Sequence, residues 1–65
     1  MIDKIKMGWE SFYRANLTEP KYLIVTPQLK KELVANAIYD DYLGMKVIQR
    51  MDLPPNEWII TNSKL

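Results

Sequence analysis

The side chains that most often carry proton or group transfer are scarce in this 65-residue chain, which has no histidine and no cysteine. General acid–base work near neutral pH then falls to carboxylates, and the one adjacent pair is Asp40-Asp41. On a helix, neighbours in sequence point about 100° apart and cannot converge on one proton. Acids near a helix C-terminus also oppose its dipole, a mild penalty that suits contact with a basic partner. A nucleophile would need a base beside it, and neither Ser11 nor Ser63 lies in a nucleophile-elbow motif. Gly8 and Gly44 are the two glycines, too few for a phosphate-cradling loop. No Asp-x-Asp or EF-hand spacing offers a hard-metal site. The expectation is a protein that is not an enzyme, with no cofactor, no metal and no small-molecule substrate.

Two kinds of binding chemistry remain. Pro27-Gln28-Leu29-Lys30-Lys31 opens a helix with polar and basic groups, and with Lys21 it forms a candidate nucleic-acid set: Lys21, Gln28, Lys30 and Lys31. Against that stand a net charge of +1 and the acids Glu32, Asp40 and Asp41 along the same helix. Lys30 and Lys31 read first as solvated surface. Aromatics make a better case for protein contact, because Tyr, Trp and Met are enriched at the centres of interfaces. Tyr13, Tyr39 and Tyr42 fall beside the stripes that would face a core. Trp58 fits a core position first and a contact second. The candidate protein-binding set is Tyr39, Tyr42, Tyr13 and Trp58, with Asp40 and Asp41 as its charged rim. Charge is also uneven: residues 1–31 carry six bases and three acids, and residues 32–65 carry three bases and five acids, so the halves are +3 and −2. Such polarity can orient a partner or a second copy.

These side chains need elements to hold them. Ile2, Ile5, Trp9 and Phe12 recur at helical spacing and predict an amphipathic helix from Asp3 to about Ala15. Asp3 suits its first turn, Glu10 and Arg14 form an i,i+4 pair, and Gly8 marks a place where another backbone passes close. Pro20 closes a connector, and Lys21–Val25 reads as a strand apolar on both faces. Thr26-Pro27 is a strong helix start, a capping hydroxyl followed by a residue that needs no N–H there. The helix it opens is expected to run to Tyr42 or Leu43, with Gly44 as its left-handed cap. Met45–Met51 and Glu57–Thr61 read as strands, separated by a rigid Asp52–Asn56 turn with two prolines.

The order α-β-α-β-β gives an α+β fold: a small three-stranded mixed sheet packed with two helices, in one domain over 1–65. The first two strands should be parallel, and the last two most simply form a hairpin. That hairpin would leave Tyr22–Val25, the most apolar strand, at an edge, where strands are normally charged or shielded. A central place for Tyr22–Val25 is the better expectation.

Tyr22–Val25 is also the longest clean apolar run, far short of the ~20 residues of a membrane span. The first sixteen residues are interrupted by charges and do not read as a signal peptide. A soluble, cytoplasmic protein without cysteine is expected.

Three stretches, K-Y-L-I-V-T-P, L-G-M-K-V-I and L-P-P-N-E-W-I-I, together resemble a pattern in short bacteriophage-encoded proteins, including part of the peripheral region of some phage capsid proteins. The resemblance covers about two-thirds of the chain, and no functional residue carries over. It implies a small phage accessory protein that binds a host or defence protein as inhibitor or modulator. The alternatives are a structural or assembly subunit of a virion or other homo-oligomer, and a nucleic-acid-binding protein.

Overall fold

A computed structural model describes residues 2–63. It contains α1 (Ile2–Asn16), β1 (Tyr22–Val25), α2 (Pro27–Ala35), β2 (Asp41–Tyr42), β3 (Met45–Gln49) and β4 (Trp58–Thr61). The strands form one mixed sheet in the order β2-β3-β1-β4. The fold is therefore a small α+β one with four strands, where three were expected.

β1 is central. It runs parallel to β3, with Leu23 opposite Val47, and antiparallel to β4, with Leu23 opposite Ile60. The expected hairpin between the last two strands does not form; β3 and β4 lie on opposite sides of β1. The physical reason is burial. Leu23, Ile24 and Val25 are all buried, which only a central strand permits on both its faces.

Alternation along the strands sorts the side chains. Leu23 and Val25, with Met45, Val47, Trp58 and Ile60, share one face with Ile5 of α1 and Leu29 and Leu33 of α2. Both helices thus cover the same side. Tyr22, Ile24, Ile48, Ile59 and Thr61 point to the opposite side, where Ile48, Ile24 and Ile59 stand in a row across three strands.

Thr26 caps α2 as its sequence suggests: the Leu29 N–H donates to Thr26 Oγ1 at 3.2 Å, and Pro27 occupies the first turn. The helix stops at Ala35, well before Tyr42 or Leu43. Its end is a Schellman motif, with Ile38 N–H donating to the Leu33 carbonyl (2.9 Å) and Ala37 N–H to that of Val34 (3.0 Å). Ala37 takes the left-handed conformation (φ 61°), and Ile38 then packs onto the core. Gly44 caps no helix. With Leu43 it forms the two-residue turn of the β2–β3 hairpin, both at positive φ (51° and 80°), as a type I′ turn requires.

Glu10 and Arg14 form no ion pair; among the described residues the one ion pair is Arg50–Asp52. At Gly8 the close neighbour is a side chain, not a backbone: a Cβ there would lie 2.9 Å from Ile60 Cδ1.

Candidate interaction surface

The hairpin turn sets the first group of candidate residues. Tyr39 (57% exposed), Asp40 and Asp41 follow one another into the edge strand β2, and Leu43 (41% exposed) tops the turn. Two backbone contacts hold this corner. Asp40's carbonyl accepts from Val47 N–H at 2.8 Å, and Tyr39's carbonyl accepts from the Lys30 ammonium. Asp40 and Asp41 thus sit on an extended edge, not on a helix end, and the helix-dipole penalty expected for them does not arise. Asp41 lies opposite Lys46 in the ladder.

Tyr42 belongs to a different class of residue. It is half-buried and packs against the core cluster, so its ring anchors the hairpin from below. Leu43 joins the corner as a residue that composition does not single out. An Asn-Gly or Asp-Gly pair would have announced the turn; Leu-Gly does not.

Trp58 and Tyr13 lie elsewhere. Trp58 opens β4, three strand spacings from β2, or about 14 Å across the sheet. It packs against the core and, with Asn56 and Glu57, lines a shallow open recess of about 260 Å³. Tyr13 stacks on Trp9 of the same helix, ring centroids 5.6 Å apart and planes within 10°. Trp9 Nε1 is buried with no hydrogen-bond partner. The six candidate contact residues therefore do not form one surface: Tyr39, Asp40, Asp41 and Tyr42 lie at the β2 edge, Trp58 at the β4 edge, and Tyr13 on α1, the helix that packs on β4.

The four candidate nucleic-acid residues do not form one surface either. Lys21 precedes β1 while Gln28 lies beyond its far end, separated by the strand's length of roughly 13 Å. Lys30 is engaged with the Tyr39 carbonyl. Lys31 is exposed on the outer side of α2.

The electrostatically tightest feature is in the β3–β4 connection. Arg50 holds Asp52 in a fork, Nε to Oδ1 at 3.0 Å and Nη2 to Oδ2 at 2.5 Å. The hydrogen bond from Arg50 keeps the Asp52 carboxyl below its ordinary value of 3.8. Among the described residues no three potential ligands gather as a metal site, and no helix is long and apolar enough to cross a membrane.

No protein-family model, curated protein or solved structure matches this chain.

Proposed function

We propose that the chain works by binding another protein, and that the β2–β3 corner is where it does so. The observation that carries this reading is Leu43: an apolar side chain held in solvent by a backbone conformation that disfavours it. A left-handed φ costs an ordinary residue roughly 1–2 kcal/mol. Strain of this kind gathers at active sites, ligand clamps and switch regions. Tyr39, four residues back along the same arm of the hairpin, adds a rigid aromatic surface, and Asp40 and Asp41 supply an acidic rim. The partner is accordingly a protein with an apolar patch bordered by basic residues. The phage-like pattern over 21–61 supports a host or virion protein in that role, with this chain as a modulator.

The test compares the wild type with a Tyr39→Ala/Leu43→Asn double variant as baits in cell lysate, followed by calorimetry on the purified capture. Leu43→Asn keeps a residue that tolerates positive φ, so the turn is preserved. Loss of the partner with an unchanged circular dichroism spectrum supports the corner. Equal affinity for the folded double variant overturns it. Asp40→Asn/Asp41→Asn should weaken the same complex and flatten its salt dependence.

A further inference from the structure

The two edges of the sheet are unequally protected. β2 is two residues long, carries Asp41 and is tied into a tight turn, the kind of edge that resists adding another strand. β4 is Trp58-Ile59-Ile60-Thr61, uncharged and without proline, with no strand beyond it among the described residues.

The hydrogen bonding shows which way its peptide groups face. Lys46 N–H donates to the Lys21 carbonyl and Arg50 N–H to that of Val25, both at 2.8 Å. Leu23 and Val25 of β1, like the Lys21 carbonyl before them, are thus committed to β3, while the Lys21 N–H turns to the Thr61 carbonyl of β4 at 3.1 Å; Tyr22 and Ile24 face β4, opposite Thr61 and Ile59. It follows that the peptide groups of Trp58 and Ile60 point away from β1, at the open edge.

We propose that β4 pairs antiparallel with β4 of a second copy, joining two four-stranded sheets into one. The strand is self-complementary about Ile59. With Ile59 on the two-fold axis, Trp58 of each copy stands opposite Ile60 of the other and exchanges backbone hydrogen bonds with it. Glu57 meets Thr61, so no like charges oppose one another. The row Ile48–Ile24–Ile59 continues into the same row of the second copy, so the half-buried Ile59 gains an apolar neighbour across the axis. A two-fold axis also closes the assembly at two copies, because the far edges are the short β2 strands. The interface lies opposite the β2–β3 corner, so it stands or falls independently of that reading.

The chain's lack of cysteine gives a clean test. Ile59 and its symmetry mate form a non-hydrogen-bonded antiparallel pair, with Cα atoms about 4.5 Å apart, inside the roughly 4.4–6.8 Å range of disulfides. Ile59→Cys should therefore oxidise to a covalent dimer at micromolar concentration, whereas Lys46→Cys, exposed in the sheet interior, should stay monomeric. Sedimentation of the wild type should give twice the 7.7 kDa chain mass. I59K and I59E should each sediment as monomers, and their mixture should recover the dimer by pairing opposite charges on the axis. A wild type that stays monomeric with no disulfide at I59C overturns the proposal and leaves β4 to a different protein's strand. A wild-type dimer indifferent to both charged variants overturns it too, by placing the interface elsewhere.

Discussion

Among the described residues, four other than glycine hold a positive φ: Leu17, Ala37, Leu43 and Asn56. Asn tolerates that conformation, but the other three are strained by it. Ala37 is the one with a purely structural task, since the Schellman motif at the end of α2 needs a left-handed residue and glycine is the usual occupant. Ala37→Gly relieves that strain, offset in part by about 0.4–1 kcal/mol of added freedom in the unfolded chain. The expected net gain is up to ~1 kcal/mol, visible as a rise of several degrees in Tm. A lower Tm would mean that Ala37 is at ease where it is. Thr26 is the opposite case, a side chain fully employed. It is buried and its hydroxyl satisfies an otherwise orphaned N–H of α2. Thr26→Ala should lower the urea midpoint by the equivalent of about 1–2 kcal/mol, and Thr26→Ser should recover most of the loss.

Between elements, the tightest fit is that of α1 on β4 at Gly8. Helix propensity alone would favour Gly8→Ala by about 1 kcal/mol. The new Cβ, however, would meet Ile60 Cδ1 at 2.9 Å, and overpacking typically costs ~1–3 kcal/mol. The single variant should be no more stable than the wild type. Combined with Ile60→Val, which removes the offending methyl, it should be better tolerated, with a coupling of at least ~0.5 kcal/mol in a double-mutant cycle. Additive effects would show that Ile60 swings aside freely. The helix α1, the strand β1 and the Thr26-Pro27 cap were legible in the sequence, because each is written in a few neighbouring residues; at Gly8 the expected backbone neighbour proved to be the Ile60 side chain. The end of α2 was not. Leu33-Val34-Ala35-Asn36-Ala37-Ile38 reads as continuous helix by propensity, and the chain departs from it because Ile38 reaches the core only through a left-handed turn. The misplaced helix end hid β2, and with it the hairpin that carries both Tyr39 and Leu43. The partner of β4 was likewise a non-local choice, fixed by the burial of β1 on both faces. Of the candidate contact residues, Tyr39, Asp40 and Asp41 emerged together, whereas Tyr42 turned inward and Trp58 and Tyr13 lay across the molecule.

At the scale of the whole molecule, stability rests on a small core of Ile5, Leu23, Val25, Leu29, Leu33 and Met45. A chain of this length has a margin of roughly 3–10 kcal/mol. Leu23→Ala, at the centre of the sheet, should remove about 2–5 kcal/mol, a large share of that margin, as the fall in the urea midpoint followed by circular dichroism would report. Electrostatics adds less, because the Arg50–Asp52 pair is exposed and such pairs contribute little. It does set a direction with pH. The folded-state pKa of Asp52 lies below the ordinary 3.8, so deprotonation favours the folded form. The contribution is therefore present above the unfolded value and disappears as pH falls through it toward the folded one. With no histidine, the chain has no side chain whose ordinary pKa falls between about pH 5 and 8, and the urea midpoint should be flat across that window. Below it the midpoint should fall, and Asp52→Asn should make the fall shallower by an amount that shrinks with added salt. Superimposable acid limbs for wild type and D52N at low salt would show that the fork between Arg50 and Asp52 orders the β3–β4 connection without stabilising the fold.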